Sequence, residues 1–431
     1  MKLTLTAAGD AVMVQRMNPG YAGFSAIKDF VNTAEAKLVN LELVLTDKNC
    51  FASSFCGGTW VTTPKSVLPD LLSYGFNYCS LSNNHIMDFS YGGLRSTIDT
   101  LNEAGVAYSG AGENLFEASK PAILNLPSAR VAVISIGSSF DDSARAGNAN
   151  QSFRGRPGLN PLRFETIYTI TEEQMKTMQS IAAETYINGE HSLLAKDGFV
   201  SGGEGGIFTF GGHKFKVGKV CGKETHPHPA DLERTLKSID DARRVADYVV
   251  LMVHSHQIRT DNFLEPDYFF EEFSRACIDR GAHAVIGGGT HQIKPIEIYK
   301  GRPIFYSLGN FIFQSNVFYE QPADFNEMYG YPSDTSAPEA LEIRAEKWTK
   351  GLHSKPLNFR SIIPHMTFEG EEMTSLKLMP IELGFNRGRT FKGLPTDTDA
   401  KTIEEICAWT NEVSASYGTS FRVKDGLLEL A

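Results

Sequence analysis

The sequence predicts an α/β fold of layered sheets, on three observations. Short apolar runs of strand length alternate with segments whose apolar residues recur at helical spacing. Several of these runs end abruptly in a polar, ligand-type residue, which is where open α/β sheets place their ligands. Hairpin signals at 122–136 and 361–381 add antiparallel strands to the pattern.

Residues 3–8 read as a strand ending in Gly9-Asp10. An aspartate just past a strand end suits a metal ion, and suits a turn equally. Helix-compatible sequence follows at 24–34. The next apolar run, 36–41, breaks at Asn40-Leu41-Glu42, again with a carboxylate at a strand end. Residues 47–63 are turn-rich and read as a loop. Residues 66–74 read as a helix with Leu68, Leu71 and Leu72 on one face. The run 76–81 is short enough for a buried strand and turns polar at Ser82-Asn83-Asn84-His85. Helical spacing resumes after Gly92-Gly93, at Leu94, Thr97, Ile98 and Leu101. Asn offers a metal its carbonyl oxygen, and His offers a ligand nitrogen or a titratable proton. The plainer reading of Ser-Asn-Asn-His is a turn.

A short strand at 105–108 leads into Gly110-Ala111-Gly112. Strands at 122–126 and 131–136 form a hairpin around Pro127-Ser128. Residues 141–153 read as an exposed loop, with a turn cluster at 156–161 and a helix at 171–188. The glycine-rich stretch 198–223 alternates apolar residues and reads as a hairpin-like insertion placed to cover a site. His213, His226 and His228 lie in or beside it, and their irregular spacing favours plain exposure. A helix at 231–246 precedes the strand 248–253, which ends in His254-Ser255-His256. After a helix at 268–280, the strand 282–286 ends in Gly287-Gly288-Gly289-Thr290-His291. His283 reads as a core histidine. Strands at 293–299 and 303–308 turn at Lys300-Gly301. Residues 314–356 are polar and read as a variable excursion. A closing hairpin (361–368, 374–381), a helix (402–417) and a last strand segment (421–430) complete the chain. The expected division is a domain at 1–315, with its insertion around 198–230, and an extension at 316–431 packed on the same domain.

The formal net charge is −10, with Lys and Arg scattered, so long nucleic acid is excluded as a partner on electrostatic grounds. The six cysteines form no Cys-x-x-Cys pair. Cys79 and Cys277 read as buried thiols. Cys50 and Cys56 are spaced to bridge, but free thiols in a reducing compartment is the favoured reading. The N-terminus passes directly into a strand and no run approaches the length of a membrane span, so the expectation is a soluble, cytoplasmic protein.

Asp10, Glu42, Asn84 with His85, His254 with His256, and His291 each follow an apolar run. One sheet edge that gathers them would join two carboxylates, an amide oxygen and imidazoles. Such a mixed O/N set suits Mn²⁺, Zn²⁺ or Fe²⁺. A carboxylate can bridge two ions ~3.5–4 Å apart, as in paired-metal hydrolases. Asp88 either orients His85 or caps the next helix. Asn310 reads as a turn or as support for a ligand. Arg156, Arg163 and Arg302 are candidates to neutralise an anionic substrate.

At these residues the chain resembles the bacterial capsule-synthesis CapA-type family, of the calcineurin-like metallophosphatase superfamily. The resemblance rests on Gly9-Asp10, Asn40-Leu41-Glu42, Ser82-Asn83-Asn84-His85-Ile86-Met87-Asp88, Gly287 to His291 with Pro295-Ile296-Glu297-Ile298-Tyr299, and Pro303 to Phe311. It implies a four-layer α/β/β/α sandwich with a two-metal site at one edge. By similarity Asp10 holds one metal, Glu42 bridges where the superfamily has Asp, and Asn84 holds the second. His254 and His291 complete the shells, and His85 is the acid that protonates the leaving group. The implied activity is hydrolysis of a phosphoester or a γ-glutamyl or other amide bond by a metal-bound hydroxide. The substrate would be an anionic small molecule or polymer of the cell envelope. The alternative is a non-catalytic metal- or anion-binding accessory protein for poly-γ-glutamate capsule synthesis. The chain departs from the pattern at Val12, where the superfamily has His, and at Gly289-Thr290, where relatives carry His-Pro. His256 is expected to supply the missing nitrogen, and a histidine at 289 is expected to restore it where the side chain fits.

Overall fold

In the computed structural model, which describes residues 1–201 and 205–431, the opening strand Lys2–Val12 has three partners. Its first half pairs antiparallel with Arg360–Glu369 and its last residues pair parallel with Asn310–Phe313. Along its other edge it runs parallel to Ala36–Leu41. This strand is the spine of a nine-stranded mixed sheet that also takes in Tyr78–Ser80, Ala107–Ser109, Glu372–Glu382 and the C-terminal hairpin. The register slips around Gly9 and Asp10 against both parallel neighbours. Such an irregularity re-aims a side chain out of the regular pleat, and here that side chain is Asp10.

A second sheet of six strands is ordered Ile296–Tyr299, Arg302–Phe305, Ala284–Gly288, Tyr248–His254, Arg130–Gly137, Ala122–Asn125. Its central strands are parallel and its two edges are hairpins. Alternation explains how the sheets meet. Leu3, Leu5 and Ala7 of the first strand share a core with Val131, Val133, Val250 and Met252 of the second sheet. The intervening residues Ala132, Ile134, Val249, Leu251 and Val253 pack instead with Ile239 and Ala242 of the helix Pro229–Arg243 and with Phe269, Phe273 and Cys277 of Tyr268–Asp279. On the far side of the larger sheet, Val39 and Leu41 meet Phe24, Ile27, Leu71, Leu94 and Leu101 from three helices. Period-2 side-chain alternation thus separates each sheet's two faces into different cores.

Two expectations change. The polar excursion 314–356 carries the helices Ala323–Tyr329 and Ala337–Arg344, which bury Phe325, Ala340 and Leu341 in the main core. Its few apolar residues are spent on packing, so composition hid the helices. The glycine-rich insertion, whose residues 202–204 lie outside the described residues, belongs to a separate four-stranded sheet with Phe164–Ile170. That sheet is tied to the Tyr268–Asp279 helix through Asp267, which accepts from Thr225 (2.5 Å) and Lys223 (2.7 Å). All six cysteines are free. His283 is a core residue as expected; its Nδ1 accepts from Val249 N–H and burial lowers its pKa to about 4.

Gly9 is the closest approach in the sheet. A Cβ there would lie 1.8 Å from the carbonyl oxygen of Gly309, whose oxygen also accepts from Asp10 N–H. Gly9→Ala is expected to cost about 1–3 kcal/mol or more by forcing these strands apart. Gly222→Ala, with open space around its Cβ, should change stability by less than about 0.5 kcal/mol. Urea denaturation of both variants checks this; equal stability would show that the strands can separate without cost.

Candidate metal centre

The C-terminal ends of Lys2–Val12, Ala36–Leu41, Tyr78–Ser80, Tyr248–His254 and Ala284–Gly288 lead to one place. Asp10 is fully buried there and accepts from Asn40 Nδ2 and from Gly289 N–H, both at 2.8 Å. Burial pushes its carboxyl above the usual range, against the opposing pull of His291 and of these two bonds. A Cβ at Gly288 would stand 2.5 Å from Asp10 Oδ1, so only glycine leaves Asp10 its position.

Glu42 is the exceptional group. It is wholly buried, and neither carboxylate oxygen has a hydrogen-bond partner. Three imidazole Nε2 atoms face its Oε1: His254 at 3.6 Å, His85 at 3.9 Å and His291 at 4.0 Å. Burial, then Asp10 and Asp88, push its pKa well up. Burial first, then repulsion from neighbouring basic groups, pushes His254 and His256 well down, so these rings are neutral at neutral pH and offer lone pairs. An uncompensated buried carboxylate is costly. A cation among these atoms would satisfy it, and the donor set fits one.

The geometry sorts the donors into two groups that share Glu42. Asp10, Glu42 and His291 bring one ligand atom each within 4.8 Å of one another, and so do Glu42, His254 and His256. Asn84 Oδ1 lies 2.7 Å from His254 Nε2, beside the second group. His256 follows the strand end at His254, and its Nε2 lies 3.0 Å from that of His254. Its backbone N–H donates to Ser139 Oγ, which holds the loop in place. His291 stands at φ 60, a conformation rare for a side chain of this size. Its Nδ1 faces Asn310 Oδ1 at 2.8 Å, while the Asn310 amide group donates to two carbonyls. Nδ1 therefore carries the proton and Nε2 keeps its lone pair towards Glu42.

His85 is held from the other side. Its Nδ1 meets Asp88 Oδ2 at 2.7 Å, and Asp88 also accepts from Val61 and Gly57 N–H. Asp88 makes no cap to the following helix, so of its two expected roles it has the orienting one. Asn83 accepts from His85 and Ile86 N–H and so fixes the turn.

The candidate arginines lie elsewhere. Arg163 is forked onto Asp231 (2.8 and 2.9 Å). Arg156 is exposed, its Nε on the Arg145 carbonyl. Arg302 pairs with Glu371 and the Ala282 carbonyl. Each guanidinium is occupied by its own neighbourhood, which sequence spacing does not reveal. His226 pairs with Glu272, and His213 is exposed. The cavity beside His85 and His291, about 400 Å³, is lined instead by Arg344, Lys350 and His353 from the excursion. No described residue of the insertion lines it, so the described part of the insertion does not cover this cavity. Asn40 is a further side chain of the site, outside the set of strand-end ligands. Its amide touches both Asp10 and His254 Nδ1, and its place two residues before Glu42 on a strand was the available signal.

A family model described as "Bacterial capsule synthesis protein PGA_cap" matches residues 4–315. The chain belongs to this family. Every residue of the candidate centre falls within the matched span. Among relatives, the uncharacterised protein y4sH of Sinorhizobium fredii is 28% identical over 99% of this chain and 93% of its own. The capsule biosynthesis protein CapA of Bacillus anthracis is 24% identical over 72% of this chain and 60% of its own. The PGA biosynthesis protein CapA of Bacillus subtilis is 42% identical over an 85-residue stretch, 20% of this chain and 22% of its own.

The structure overturns the expected rescue at position 289. Gly289 has φ +107, and a Cβ there would lie 2.9 Å from both His256 Cδ2 and the Ser255 carbonyl oxygen. The positive φ and the Ser255 backbone remain when His256 is truncated, so a side chain at 289 is still strained there. His256→Ala is expected to weaken metal binding by roughly 10–100-fold, and adding Gly289→His should restore none of it. Metal titration of the single and double variants checks this; recovered affinity in the double variant would show that the backbone adapts.

Proposed function

We propose that this protein is a metal-dependent hydrolase of the calcineurin-like type, acting on a phosphoester or on a γ-glutamyl or other amide bond. The observation that carries this reading is Glu42, a buried carboxylate without a partner, beside the neutral imidazoles of His254 and His256. Asp10, Glu42 and His291 would hold one divalent ion; Glu42, Asn84, His254 and His256 would hold a second. The O/N donors suit Mn²⁺, Zn²⁺ or Fe²⁺. Such ions polarise the bond to be broken and lower the pKa of water. His85 supplies the proton to the leaving group from Nε2, while Asp88 holds Nδ1 and stabilises the charged ring. Two sheets around a shared core, with helices outside each, support the four-layer sandwich of that superfamily.

The names of the CapA relatives support an anionic substrate from capsule or cell-envelope synthesis. No helix of the described residues is long and apolar enough to cross a membrane. The free thiols support a reducing, cytoplasmic setting. A second reading, a non-catalytic metal- or anion-binding accessory protein, is favoured by Val12 and Gly289, where two ligands of the superfamily are missing.

Asp10→Ala and Glu42→Ala should each strip most bound metal, because the ion loses a charged ligand. His85→Ala should keep the metal and lower turnover by about 10²–10⁴-fold. Elemental analysis, with bis(4-nitrophenyl) phosphate and a γ-glutamyl anilide as substrates, reads both. Wild-type protein that carries metal and hydrolyses neither would favour the accessory role; wild-type protein without metal would end both metal readings.

A further inference from the structure

We propose that Arg344 is the oxyanion-binding residue of the substrate cavity, and that the ligand is a small, partly apolar molecule bearing a carboxylate or phosphate. The proposal takes the adjoining centre as the reacting one, and so rests on the hydrolase reading for the word substrate; the anion site itself stands on its own geometry.

Arg344 ends the helix Ala337–Arg344, outside the span shared with the family model. Its guanidinium lies over two rings, Phe325 at 5.3 Å and Tyr329 at 5.5 Å. Its hydrogen bonds all leave from Nη1, to Gly58 O (3.0 Å), Thr59 Oγ1 (2.7 Å) and Tyr329 Oη (3.4 Å). All three acceptors are neutral, and no carboxylate among the described residues forms an ion pair with it. Other half-buried arginines of this chain (Arg163, Arg243, Arg275 and Arg302) have a carboxylate each. Arg344 therefore holds a full charge, half withdrawn from water, with Nε and Nη2 unused. That is the fork with which arginine takes a carboxylate or phosphate.

The surroundings leave Arg344 as the charge that decides. Lys350 at the same cavity is tied to Glu346 at 2.6 Å. Burial pushes His353 down to about 4, so its ring adds no charge at neutral pH. The site is close to the centre. Arg344 holds Gly58, and a Cβ on the neighbouring Gly57 would lie 2.7 Å from His85 Cε1. Arg344 and His85 line the same cavity. A cavity of about 400 Å³ is at the small end of the range that encloses single small molecules. Phe313 and Phe318 give it an apolar wall.

The test is calorimetric titration of the full-length protein with three probes: phenylphosphonate, benzoate and benzyl alcohol. At least one of the two anions should bind, Arg344→Gln should weaken it at least 10-fold, and Arg344→Lys should weaken it less. Benzyl alcohol binding and metal content should be unchanged in both variants. Glu42→Gln, which impairs the metal centre, should leave an anion affinity that still falls on adding Arg344→Gln. The proposal is overturned if neither anion binds the wild-type protein, or if Arg344→Gln stays within two-fold. It is equally overturned if the neutral probe loses affinity in parallel, because Arg344 would then only staple residues 58 and 59. A wild-type protein that carries no metal but shows Arg344-dependent anion binding would sink the hydrolase reading and leave this one standing.

Discussion

Glu42 is a carboxylate placed where neither water nor any protein donor reaches it. Burying a charge unpaired is among the costliest things a fold can do, so the surrounding structure has to explain it. Five strand ends surround this one group, with Asp10 on one side and imidazole nitrogens on the others. The same burial that raises the Glu42 pKa lowers those of His254 and His256. The rings therefore cannot act as counter-ions near neutral pH, and the site is arranged as a set of lone pairs. Such an arrangement would accommodate a cation.

Space is as tightly assigned as charge. Gly9 lets two strands touch, Gly288 makes room for Asp10, and Gly57 leaves the edge of His85 clear. Gly289 is a further case. The imidazole of His256 comes from a different loop and lies against the volume that a side chain at 289 would require. Position 289 is also closed by its positive φ and by the Ser255 backbone, while Ser139 holds the loop that carries His256.

The segment after the family span is part of the same design. Its two helices bury Phe325 and Leu341 in the main core, and their loops roof the cavity beside His85. Three successive residues, Glu346, Lys347 and Trp348, take positive φ there. Trp348 meets the His353 ring edge-on at 5.0 Å, His353 stacks near Phe313, and Phe313 packs beside His291. A line of rings therefore connects the roof to the candidate centre. Strained backbone of this kind persists only where its surroundings hold it.

Strand ends at Asp10, Glu42, Asn84, His254 and His291 were legible in the sequence, because apolar runs of strand length stop at each and because a strand's period of two is local. The family was legible for the same reason, since its motifs are short and contiguous. The pairing of Arg163 with Asp231 was not, as the partners are 68 residues apart and nothing local links them. Nor was the role of residues 314–356, whose few buried side chains are too sparse to show a helical period. The lone charge of Arg344 was equally hidden: any arginine reads as solvated until its neighbours are known. Sequence by itself determined which residues could serve as ligands and that sheets would carry them. Tertiary structure alone decided which of them meet, which arginine stays unpaired, and that position 289 has no room. Those outcomes depend on distances between segments far apart in the chain, and local pattern holds no record of such distances.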